Sequence, residues 1–286
     1  MSDSRSDKPL SAGQCAALAC LLEVAAPKPG NVHRGADFED LTLQDFLASA
    51  VAIAPAMDAA AGGMPLGRAV LQAIEATRRV VGSNTNLGTV LLLAPLAKAR
   101  RDAPFPLAVA EVLGDLNADD ARDVYQAIRL ANPGGMGHVE RHDVHGEPPT
   151  DLIAAMRLAA KRDAVARQYA CNFEDVLERV VPWLRETAAV CQPLAQRIVL
   201  LQLRLLAVMP DSLIARKCGT AIAAQASARA QAVLREGLPG DEAYERALAD
   251  FDFWLRSDGH RRNPGTTADL IAAALYIGLC EGWLLQ

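Results

Sequence analysis

Along almost the whole chain apolar residues return every three or four positions, as in "CAALACLLEVAA", "DFLASAVAI", "LIAAMRLAAKRDAVARQYA" and "LAQRIVLLQLRLLAV". That spacing lays one apolar stripe along an α-helix. No stretch alternates apolar and polar residues for long enough to predict a strand. Proline and glycine cut the pattern into segments, which predicts helices near 11–25, 42–60, 65–81, 88–101, 105–114, 119–131, 150–170, 173–189, 193–208, 219–236, 240–257 and 266–284. Segment 266–284 is apolar around most of its circumference, which places it between neighbouring helices and away from solvent. The expected fold is all-α: a compact single-domain bundle of roughly ten to twelve helices over 11–286, after a disordered polar leader, 1–10.

Composition narrows this without redirecting it. A chain of 286 residues with 51% hydrophobic content can bury a substantial core. Its net charge of −5 lacks the broad basic footprint of a nucleic-acid binder. The apolar run "GTVLLLAPLA" is about half the ~20 residues a membrane span needs. Cys15, Cys20, Cys171, Cys191, Cys218 and Cys280 form no C-x-x-C pair, which points to reduced thiols and a cytoplasmic location. Alanine-rich apolar faces leave a homo-oligomer open.

Polar chemistry is concentrated in the interruptions between helices. In "EVAAPKPGNVHRGADFEDL", residues 23–41, prolines end a helix and the chain presents Lys28, His33, Arg34, Asp37, Glu39 and Asp40. Cations suit triphosphate oxygens, whereas one or two carboxylates with retained waters suit magnesium. The alternative is a solvated loop whose carboxylates complement the next helix dipole. In "GSNTNLGTVLLLAPL", residues 82–96, Asn84, Thr85 and Asn86 precede an apolar helix whose free amides form an anion site, or simply cap it.

A third interruption, "MPDSLIARKCG", carries Asp211, Ser212, Arg216 and Lys217. A fourth, "HRRNPGTTADLIAAAL", carries Arg261, Arg262 and the turn residue Asn263. Thr266 and Asp269 there have the spacing of a capping box, which assigns Asp269 to backbone capping. His138, His142 and His145 lie in a glycine- and proline-rich stretch, 132–149, that reads as a lid and poorly as a rigid metal cage.

In this order, "EVAAPKPGNV", "NTNLG", "PDSLIARKCG" and "NPGTTADL" make the chain resemble the triphosphoribosyl-dephospho-CoA synthase family from about residue 14 to 284. The resemblance implies an all-α enzyme that transfers a 5-triphosphoribosyl group from ATP to the 2'-hydroxyl of 3'-dephospho-CoA, with adenine leaving, in prosthetic-group biosynthesis. It implies that Lys28, His33, Arg34, Arg216 and Lys217 meet the triphosphate. Asn84, Thr85, Asn86 and Asn263 would meet the remaining substrate groups. Glu23, Asp37, Asp40 and Asp211 are the catalytic carboxylates it implies, with Asp37, Glu39, Asp40 and Asp211 available to Mg2+.

Citrate-system members read N-T-H-x-G and G-A-H-x-D-M where this chain reads "NTNLG" and "GADFEDL". The wording here is closer to a branch found in methanogens and methylotrophs. Two alternatives therefore stay open: a related ribosyl or phosphoribosyl transfer in tetrahydromethanopterin-type cofactor biosynthesis, and a non-catalytic helical module that binds a nucleotide or CoA.

Overall fold

A computed structural model describes residues 9–134, 144 and 146–285 of the chain. It is all-α, with fifteen α-helices among those residues, slightly more than the ten to twelve expected. Most of the surplus comes from breaks inside predicted helices. The segment expected as 42–60 is two helices, α2 (Leu43–Ala52) and α3 (Ala54–Ala61), because Pro55 opens α3 and cannot continue α2. Segment 150–170 divides into α8 (Leu152–Ala159) and α9 (Ala164–Ala170), where Asp163 caps the second piece through the amides of Val165 and Ala166. A single turn of π-helix, Val176–Val180, runs into α10 (Val181–Thr187), whose Pro182 removes a donor from the ladder. Residues 257–260 are extended, where the expected helix 240–257 ends.

The other helices form where the apolar stripe and a cap agree. Helix α1 (Ala12–Ala25) starts at a reciprocal capping box between Ser11 and Gln14. Helix α7 (Ala118–Ala131) starts at another, between Asn117 and Asp120, and lies along α4 (Leu66–Val80), where Asp120 also accepts the Gly67 amide at 2.8 Å. Helix α6 (Phe105–Gly114) packs on α5 (Leu87–Lys98).

At the centre stands α15 (Gly265–Cys280), against α1, α5 and α11 (Leu194–Val208). Its residues from Leu270 to Leu279 are all buried, as the all-round apolar pattern requires. Each leucine or isoleucine so buried contributes about 1.5–3 kcal/mol. Helix α11 serves two hydrophobic clusters. Ile198, Leu201 and Leu205 join the main core, while Val199, Leu203 and Leu206 join a second one with α12 (Ser212–Cys218), α13 (Thr220–Arg235) and α14 (Glu242–Arg256). No single helix among the described residues is long and apolar enough to cross a membrane.

Most of the expected leader, and His138, His142 and His145, lie outside the described residues. Leu10 is exposed, and its carbonyl accepts from Arg101 at 2.7 Å.

Candidate functional site

The loop that follows α1 is held from outside the cavity. Gly30 adopts φ 75°, and its amide donates to Asp252 of α14 at 2.7 Å. A Cβ there would lie 2.8 Å from Leu255, so both the turn and the close approach call for glycine. Asn31 accepts from the buried amide of Gln202 on α11 at 2.8 Å, and its carbonyl accepts from Arg256. Ahead of that turn, the Lys28 ammonium, with 0% exposure, lies 2.8 Å from the Glu23 carboxylate and also donates to the Glu23 carbonyl. Glu23 itself lines a cavity of about 500 Å3, a volume typical of small-molecule sites.

The turn between α4 and α5 forms another part of the cavity wall. Asn84 accepts from the Leu87 amide at 3.1 Å, and Thr85 shares a 2.5 Å hydrogen bond with Ser49 of α2. The Asn86 amide nitrogen donates to Thr77 at 3.0 Å, while its buried Oδ1 has no partner among the described residues.

The third segment is not a plain connection, because Asp211 initiates α12. Its Oδ1 accepts from the amides of Leu213 (2.8 Å) and Ile214 (3.0 Å), and its Oδ2 accepts from the amide and hydroxyl of Thr267 on α15, both at 2.8 Å. Burial pushes its acid up, and the four donated bonds pull it back. With both oxygens occupied at 2% exposure, Asp211 clamps two helix starts together and is not placed as a ligand. Its neighbours face the cavity: Arg216 pairs with Asp163, and Lys217 donates to Asn263 (3.1 Å) and to the His260 carbonyl (3.3 Å). Burial holds the Lys217 ammonium below its usual pKa, so an anion beside it gains a strongly desolvated partner.

Asp269 departs from the expected cap. Helix α15 begins at Gly265 without a side-chain cap, so Thr266 is already inside the helix and its hydroxyl accepts from Ser212 at 3.0 Å. Asp269 points instead at the start of α5, where it accepts the Thr89 hydroxyl at 2.6 Å. A Cβ on Gly88 would fall 2.1 Å from the Asp269 carboxylate, so only glycine admits it. Burial raises the Asp269 pKa to about 8, with Thr89 opposing and the charges of Glu23, Asp211 and Asp163 adding to the rise. Cys20, on the same wall, is pushed up by burial and by the two carboxylates.

The cavity thus gathers Glu23, Asp40, Asn84, Thr85, Asn86, Arg216, Lys217 and Asn263 from all four polar segments. Asp40 receives His260 at 2.8 Å and is mostly exposed. Other expected residues lie elsewhere. Lys28 is behind Glu23; Asp37 accepts the Leu43 amide at 2.7 Å; Arg34 and Glu39 are exposed. His33 accepts from the Gly35 amide, and burial and Arg256 lower its pKa. Arg261 donates to the Lys217 carbonyl, and Arg262 stacks on Trp254. Asp37, Glu39, Asp40 and Asp211 are therefore not gathered, and no group of three or more His, Cys, Asp or Glu among the described residues is arranged to hold a metal.

The residue pattern gives no sign of Ser49, Arg129, Arg162 or Asp163 and offers Asp269 only as a cap, yet all five line the cavity. Tyr125 and Ile128 of α7 with Leu152, Ala155 and Met156 of α8 add apolar lining to the cavity.

No curated protein matches the chain. Its structure resembles the crystal structure of an Archaeoglobus fulgidus protein provisionally described as a triphosphoribosyl-dephospho-CoA synthase, with a TM-score of 0.62 and 25% identity over 83% of this chain and 99% of the other. The family model for ATP:dephospho-CoA triphosphoribosyl transferase matches residues 9–285, and the chain belongs to that family.

Proposed function

We propose that this transferase moves a 5-triphosphoribosyl group from ATP to the 2'-hydroxyl of 3'-dephospho-CoA and releases adenine. The observation that carries the proposal is the convergence of four polar segments, spread from residue 23 to residue 269, on one cavity lined by both carboxylates and cations. Cleaving a bond between ribose and a purine builds positive charge on the anomeric carbon, which needs nearby negative charge and a base for the incoming hydroxyl.

Glu23 fills that role: its carboxylate faces the cavity and is held in place by Lys28. Arg216, Lys217, Arg129 and Arg162 line the cavity and are the cations that meet phosphates. Asn84, Thr85 and Asn86 present polar groups to ribose at the start of α5. The apolar face of α7 and α8 suits the uncharged arm of the acceptor, which a purely phosphorylated ligand would leave against bare hydrocarbon. Any magnesium enters with the triphosphate and takes its ligands chiefly from it.

Incubating the protein with ATP, magnesium and 3'-dephospho-CoA, followed by mass spectrometry, tests this directly. Free adenine and the triphosphoribosyl adduct are expected together. Folded protein that yields neither overturns the proposal, and pyrophosphate release from phosphoribosyl pyrophosphate in its place would reassign the donor.

A further inference from the structure

We infer that the Asp269 carboxyl group is the acid that hands a proton to the departing purine, with Thr89 and Gly88 as its positioning residues. This rests on the transferase proposal above and favours a donor whose leaving group is a nitrogen base over one that releases pyrophosphate. Three features of the geometry point to it. Asp269 lines the cavity and is oriented by a 2.6 Å hydrogen bond from Thr89. Gly88 leaves room for the carboxyl group where any other residue would collide with it. Glu23 lies on the same cavity wall, so a second carboxylate is available for the opposite proton movement.

The groups facing Asp269 are Cys20 and Glu23 from α1, Thr89 from α5, Asp211 from α12 and Asp163 before α9. The charged ones among them are carboxylates, and the Lys28 cation is spent on Glu23. With burial they bring the pKa to about 8, so the acid form prevails at neutral pH. A neutral acid serves a nitrogen base, which leaves poorly unless protonated; pyrophosphate departs as an anion and has no use for one. In the step, the bond from the anomeric carbon to purine nitrogen breaks and its electron pair goes to the purine, which takes the Asp269 proton. The acceptor oxygen bonds the anomeric carbon and gives its proton to Glu23. One proton is donated and one accepted, so exchange with solvent restores both carboxyl groups.

The test uses Asp269→Asn in the full chain, with circular dichroism to establish folding. Adenine release from ATP with dephospho-CoA is expected to fall by about 10²–10⁴-fold. A ribosyl 5-triphosphate bearing 4-nitrophenolate, which departs without a proton, is expected to react at nearly the wild-type rate. Thr89→Val removes a hydrogen bond that favours the carboxylate, so the alkaline limb of kcat is expected to lie at higher pH than in the wild type. A variant D269N that keeps pace on ATP, or fails equally with both donors, overturns the acid assignment alone, as does an unmoved limb in T89V. A wild type that releases no adenine overturns the transferase proposal together with it.

Discussion

Asp211 and Asp269 are the same side chain in adjoining parts of the molecule, both withdrawn from bulk water, yet their surroundings differ in one respect that matters. Asp211 accepts four hydrogen bonds, three of them from backbone amides, and joins α12 to α15. Asp269 accepts one from the Thr89 hydroxyl, faces an open cavity, and has carboxylates for charged neighbours. Donors stabilise the ionised form, whereas desolvation and like charges oppose it. A saturated carboxylate is part of the frame; an under-satisfied one keeps its proton for use.

The comparison is open to direct attack. The largest change in stability is expected from Lys28→Met, which leaves Glu23 without its buried partner; by the usual cost of breaking such a pair, unfolding in urea should show a loss of about 3–5 kcal/mol. Asp211→Ala strips two helix starts of a cap and leaves their amides unpaired, with an expected loss of about 2–4 kcal/mol. Adenine release per folded molecule should survive that change, and its collapse would end the distinction between the two aspartates. Gly88→Ala crowds the Asp269 carboxylate and is expected to cost about 1–3 kcal/mol, with a fall in turnover greater than that in Asp211→Ala.

A further difference is expected with pH. A carboxyl group whose folded pKa of about 8 exceeds its unfolded value contributes stability that is complete at low pH. That contribution declines as pH rises and is gone once pH passes the folded pKa. Relative to Asp269→Asn, the wild type should therefore lose stability from weakly acid to mildly alkaline pH, blunted by water in the cavity. Thermal melts of both proteins across that range would check the sign.

Much of the frame was legible in the residue pattern. The all-round apolar run of α15 announced its central position, and the helical spacing near 11–25 matches α1. The four polar segments were legible as well, because proline, glycine and charged clusters stand out between alanine-rich helices. Their internal assignments were less so. Lys28 looks like a free cation in a loop, whereas the chain leaving α1 folds its ammonium back to full burial against Glu23.

Asp269 illustrates how one residue of helix phase changes a role. Its spacing from Thr266 fits a capping box, but α15 starts at Gly265, so the side chain emerges toward α5. Arg216 and Asp163 are separated by 53 positions, and no local pattern connects them. Pairings of that kind exist only once α9 and α12 have packed.

The contacts of Asp252 and Arg256 on α14 with Gly30 and Asn31 carry a lesson for anyone trimming this protein. Deleting the α13–α14 hairpin to obtain a minimal enzyme would remove more than an outlying core, because the same hairpin anchors a loop at the edge of the cavity. A shortened descendant would have to invent a new brace for that loop before it could dispense with the old one.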